Sequence, residues 1–275
     1  MFDSALQKLE RAETHLNQLE AEAREFFASN PYPISQEFHA DSAYHRWRAD
    51  VRKPFPDCWP FLVGDCVHNA RSALDHLAWE AAGSVRDDTW TQFPIFGTSA
   101  KYSAERVKWL DDAGRKLVRE SQPFFAPENK PLLAVQVLDA EDKHKKLAVL
   151  LALPDTQIVL ASISNAAEGN VIHQDIQTRT DPINPATEPD APIATCQMLV
   201  VPESGIGPPW PVMQMECHPQ WELAFHAETT GLFMTGENAL RETLLAVERV
   251  IRRFIEVEPK PRPRDAHKRP PRKRR

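Results

Sequence analysis

Gly64-Asp-Cys-Val-His-Asn-Ala-Arg-Ser-Ala-Leu-Asp-His-Leu-Ala-Trp-Glu-Ala-Ala-Gly83 decides how this chain is read. Val63, Val67, Ala70, Leu74, Leu77 and Ala81 recur at alternating spacings of four and three, one apolar stripe of a helix bracketed by two glycines. At roughly 100° per residue, Asp65, His68, Asn69, Ser72 and His76 gather on the other side. Asp75 lies beside them and Arg71 on one flank. An ordinary solvent face carries Glu and Lys. This one carries residue types that transfer protons, bind anions or ligate metals.

The surrounding chain is ordinary for a globular protein. Its 275 residues are 42% hydrophobic and 26% charged, enough for a sizeable core. No apolar run approaches the roughly 18 residues of a membrane span. The start, Met1-Phe-Asp-Ser-Ala-Leu, lacks a basic segment followed by an apolar one, so no secretory signal is read and the chain is expected to be cytoplasmic. Cys58, Cys66, Cys196 and Cys217 show no CxxC spacing and read as free thiols in a reducing compartment.

Charge is uneven. Residues 260–275 hold nine Lys/Arg and one Asp, a net of +8; the whole chain carries −6, so residues 1–259 carry −14. An acidic body excludes a broad basic nucleic-acid surface. The tail has four prolines and no aromatic residue and is expected to be disordered. It suits a salt-sensitive contact with nucleic acid, RNA included, or with an acidic partner.

Working outward, residues 3–28 form an amphipathic helix with heptad-like spacing, started by Asp3 or Ser4 and ended before Asn30-Pro31. The repeat fits a bundle helix or a seam between the subunits of a homodimer. Residues 34–52 read as a hairpin turning at Ala40-Asp-Ser42, and residues 103–120 as a helix capped by Ser103. Leu132-Leu-Ala-Val-Gln-Val-Leu138 and Leu147-Ala-Val-Leu-Leu-Ala-Leu153 flank a charged island, Asp139-Ala-Glu-Asp-Lys-His-Lys-Lys146. Either one helix carries buried charge, which needs pairing, or the helix stops near Asp139 and the island is a solvated turn.

From residue 157 the period changes to two. Segments 157–164, 170–177, 195–201, 211–217 and 221–227 are candidate strands, with a mobile loop over 178–192. Residues 237–257 close the chain as an amphipathic helix. The expectation is therefore a single α+β domain over residues 1–259. It has a helical part (1–153) built of N-terminal and central helices, a hairpin, a mostly antiparallel sheet (155–228) and a closing helix (236–257).

Three chemistries fit the central face. In the first, Arg71-Ser-Ala-Leu-Asp-His76 resembles the Arg-x4–6-His motif of HEPN domains, helical bundles that often dimerise and many of which cleave RNA without a metal. The resemblance implies an endoribonuclease in which His76 exchanges protons and Arg71 holds phosphate. His68, Asn69, Asp75, Asp142 and His144 would complete the pocket. Ser72 departs from the polar Asn, Asp or His that often follows the family's Arg, and the long sheet is a further departure. More broadly, Gly64-Asp-x-x-His-Asn-x-Arg-Ser-Ala-Leu-Asp-His76 with Asp142-Lys-His144 resembles bacterial and phage proteins of similar length, which implies no particular activity.

The second is a metal held by Asp65, His68, Glu141 and His144, a carboxylate and an imidazole one turn apart on each of two helices. It is not favoured, because Glu13, Glu20 and Glu22 read as an outer face. The third is structural or partner-binding: a polar network in which the same residues pair with Asp139, Glu141, Asp142 and Lys143. No cofactor is expected, since Ser204-Gly-Ile-Gly-Pro-Pro209 has no phosphate-loop spacing and no GxSxG or HExxH occurs. Strand residues His173, His218 and His226 and loop residues Trp90 and Trp210 read as surface, core or anchoring residues.

Overall fold

The computed structural model describes residues 2–39, 44–83, 91–144, 147–164, 171–184, 187–201, 212–227, 230 and 232–259. The turn at 40–42, Trp90, Trp210, residues 204–209 and the basic tail lie outside them.

Among the described residues, five α-helices and two antiparallel sheets make an α+β fold. Helix α1 (Asp3–Ala28) buries Ala5, Leu9, Ala12, Leu16, Leu19 and Ala23, the stripe its spacing predicts. Neither Asp3 nor Ser4 caps it. Phe2 is the N-cap, with φ 73°, and makes no side-chain cap bond. Helix α2 (Trp59–Ala82) starts five residues before Gly64, with Pro60 in its first turn, where a missing N–H costs nothing. Gly64 is therefore not a boundary. A Cβ there would overlap the Asp142 carboxylate, so the glycine lets a carboxylate of another helix close onto α2.

The single helix expected over 103–120 is two pieces. A 3-10 turn (Ala104–Val107) precedes α3 (Asp112–Glu120), and Asp111, not Ser103, caps it by accepting from Gly114 N at 2.8 Å. Arg115 makes the break tolerable: its guanidinium donates to the carbonyls of Leu110 (3.0 Å) and Lys108 (3.2 Å). Helix α4 (Leu132–His144) runs through the first six residues of the charged island, and α5 (Glu237–Val257) closes the chain as expected.

The helical part ends at His144, not 153. The second apolar run is strand, since β3 spans Ala148–Ser164. The hairpin strands β1 (Ile34–His39) and β2 (Tyr44–Asp50) join β5 (Asp190–Val201) and β4 (Val171–Thr178) in the order β1-β2-β5-β4. In the second sheet, β3 pairs with β6 (Val212–Ala227), which pairs with β7 (Leu232–Thr235). The two candidate strands 211–217 and 221–227 are thus one, while β7, only four residues long, escaped the pattern. Pro154 falls where the β3–β6 register shifts, between Ala152 and Asp155, a place where a missing ladder donor is harmless. The segment expected as a mobile loop is pinned in its middle: Ile183 is fully buried and exchanges backbone bonds with Leu151 at 2.7 and 2.8 Å.

One apolar core lies among the five helices and a second lies between the sheets. Phe26, Phe27 and Phe55 pack against both. They belong to an aromatic seam in which Phe26 meets Trp59 at 5.2 Å and Tyr32 meets Trp221 at 5.7 Å between ring centres. No described helix is long and apolar enough to cross a membrane.

Candidate functional site

The polar face of α2 meets three separate segments. At its C-terminal end, Glu80 accepts from Phe2 N and from Ser4 Oγ, so a carboxylate of α2 stands in for the missing cap of α1. Ser4 donates to Glu80 and therefore accepts from His76 Nδ1, at 3.0 Å. Glu80, Ser4 and His76 form one chain of bonds that ties α1 to α2.

One turn earlier, Arg71 grips Asp75 with two bonds of 2.7 and 3.2 Å and donates to the Phe93 carbonyl at 2.9 Å. Asp75 accepts from Phe93 N at 3.0 Å. This fork holds the 91–97 segment to α2. Burial pushes the Asp75 carboxyl above its usual range, against the pull of Arg71 and of the Phe93 amide.

Toward the N-terminal end, α2 faces α4. His68 Nδ1 lies 3.0 Å from Asp139 Oδ1, while Lys143 Nζ donates to Asp139 Oδ2 at 2.6 Å. Asp139 is an acceptor to both, so His68 donates through Nδ1, leaving Nε2 for solvent or a ligand. The Asp139 side chain is 8% exposed and that of His68 49%. Asp142 lies over Gly64. Its carboxyl is raised first by burial, then by the charges of Asp65 and Asp139, with His68 and Lys143 pulling the other way.

The expected pairing of the α2 face with the charged island is therefore present, through His68 and Asp139. The candidate residues nevertheless divide. Arg71 and His76 bind different neighbours. Asn69 is buried and donates to Asp65 O of its own helix at 2.8 Å. Asp65 and His144 are exposed, whereas Glu141 is buried. Among the described residues, no three His, Cys, Asp or Glu side chains are placed to hold a metal ion. Two of the three glutamates expected on an outer face are engaged. Glu20 binds Arg241 of α5, and Glu22 accepts from Trp59 Nε1 at 3.0 Å.

All four cysteines are free thiols, with Cys66 and Cys196 buried. Burial pushes the Cys66 thiol up to about 12 and Cys217 to about 11. Both are poor nucleophiles.

Glu80 and the buried His45 escaped the sequence reading, and Ser4 entered it only as a cap of α1. Glu80 continues the His68–Ser72–His76 spacing by one more step of four. His45 alternates with Trp47, so an inward Trp47 brings His45 inward with it. His45 is stacked on that ring at 5.7 Å, its Nδ1 lies 2.8 Å from Gln36 Nε2, and burial lowers its pKa.

Comparison with protein-family models, curated proteins and solved structures finds no match.

Proposed function

We propose that this protein is a non-enzymatic binding or structural protein in which the polar face of α2 fastens α1, α4 and the 91–97 segment. One observation carries the reading: Arg71 spends Nε and Nη2 on Asp75 and Nη2 again on the Phe93 carbonyl, so that neither bidentate edge of the guanidinium is wholly free, with its side chain 14% exposed. A guanidinium meant for phosphate needs a free edge. The basic tail is the segment suited to a polyanionic partner such as RNA.

A second reading, metal-independent RNA cleavage, is favoured by His68 alone. A half-exposed imidazole oriented by a buried carboxylate is the arrangement a general base requires, and Asp142 holds its proton to higher pH than an ordinary carboxyl. The test uses Arg71→Ala, His76→Ala and His68→Ala, each assayed for melting temperature and for cleavage of varied RNAs in EDTA. The structural reading expects Arg71→Ala and His76→Ala to melt earlier and the wild type to be inert. RNA cleavage by the wild type that is lost in His68→Ala, with folding intact, would overturn it.

A further inference from the structure

Helices α1 and α5 run antiparallel. The Phe2 ring meets Phe254 at 6.2 Å, and Arg241 binds Glu20 at the other end. Between them lies a groove of ≈ 460 Å³ whose lining includes Asp3, Leu6, Glu10 and Glu13 of α1 and Glu248 of α5. The α1 residues are three or four apart and so form one stripe. Among the described residues, four of those lining the groove are carboxylates and none is basic; Arg252, outside the lining, pairs with Glu248. Leu6 and, one turn from Glu248, Leu245 are 37% and 40% exposed.

Which partner suits this groove follows from charge and position. A second copy docking face to face would set the same carboxylates against one another. The chain itself holds the complement: residues 260–275 carry nine Lys/Arg against one Asp. They follow Pro259, which is buried just beyond the end of α5, and that end is the Asp3 end of the groove. Sixteen residues reach ~50 Å extended, and the groove from Asp3 to Glu13 is ~15 Å long. Pro261, Pro263, Pro270 and Pro271 favour the extended, open-backbone form that lies along a linear groove. Lys and Arg stems can cover Leu6 and Leu245 while their heads reach carboxylates.

We propose that the basic tail lies in the α1–α5 groove of its own chain, so that any polyanion binding the tail must first displace it. The inference is independent of the reading of α2. Tethering makes the contact effectively millimolar, so exposed ion pairs suffice for it at low salt.

Limited trypsin digestion of the full chain, followed by mass spectrometry, tests it at tail bonds not followed by proline, such as those after Arg264, Lys268 and Arg272. Glu10→Lys/Glu13→Lys, both on an exposed helix face, should expose these bonds roughly tenfold more at low salt, since two ion pairs become two repulsions. The difference should vanish in 0.5 M salt, where screening is nearly complete. Glu10→Gln/Glu13→Gln should fall between the two, and it serves if the reversal alters the melting temperature. Equal tail cleavage in all three proteins at low salt would overturn the proposal. So would protection that rises with protein concentration, which would place the tail in the groove of another copy.

Discussion

The C-terminal end of α2's polar face commits Arg71, Asp75, His76 and Glu80 to the 91–97 segment and to α1. At the N-terminal end, Asp65 and His68 face Asp139, Asp142 and Lys143 with the imidazole half exposed. The residue types are the same at both ends. What differs is what packs over them. A charge covered by another segment must be paired, and its pairing then holds the fold together. A charge that keeps its water contributes little to stability and stays available to a ligand. The polar face is thus a fastening at one end and an open titratable cluster at the other.

Arg71→Ala should show the largest effect. It leaves Asp75 covered and without its cation and frees the Phe93 carbonyl, a loss of about 2–3 kcal/mol in chemical denaturation. Arg71→Lys should recover only part, because an ammonium cannot make the fork. If Arg71→Ala costs less than the changes at His68 below, the contrast between the two ends is wrong.

Glu80→Ala should come next, at about 1 kcal/mol, the usual cost of a lost helix cap. Glu80 and Ser4 share one bond, so Ser4→Ala and Glu80→Ala should not add in a double-mutant cycle. Full additivity would mean that the two act separately and that no connected tie joins α1 to α2.

Legibility followed the same division. The apolar stripes of α1 and α5 placed both helices, because each buries a single face against neighbours already implied by the pattern. The α2 stripe was as plain, yet its start was misread at Gly64. A glycine that ends a helix and a glycine that admits Asp142 look alike until α4 is in place. Leu147–Leu153 was placed in the helical part, since an unbroken apolar run has no alternation to mark it as a strand. On the polar face the residues were found but not their roles. Arg-x4-His fixes two side chains on one helix and says nothing of Phe93 or Ser4, which arrive from other segments and decide whether guanidinium and imidazole are free.

His68→Ala tests the open end. With the ring half in water and Asp139 still paired to Lys143, the loss should stay within ~0.5 kcal/mol. A loss as large as that of Arg71→Ala would mean that the imidazole is a structural tie after all, and would remove the observation favouring acid–base chemistry there.

The smallest effect, and the one with a sign of its own, is expected from Asp142→Asn. Burial together with the charges of Asp65 and Asp139 holds this carboxyl above its usual range, and His68 and Lys143 do not fully offset them. Below the ordinary aspartate pKa of about 3.9, Asp142 is protonated in both folded and unfolded chains and carries no penalty. As pH rises through that value the unfolded chain ionises first, and stability is lost until the folded carboxyl ionises as well. Asparagine is neutral throughout and of similar size, so it should fit over Gly64 without this loss. Asp142→Asn should therefore melt slightly higher than wild type at pH 7, and the gap should close as pH falls below about 4. Melting curves of both proteins from pH 3 to 8 read the difference directly, because every other titrating group is common to the pair. A variant that melts lower at pH 7 would show that the Asp142 carboxylate is held by a favourable contact in the fold. The N-terminal end of the face would then be a second fastening rather than an open site.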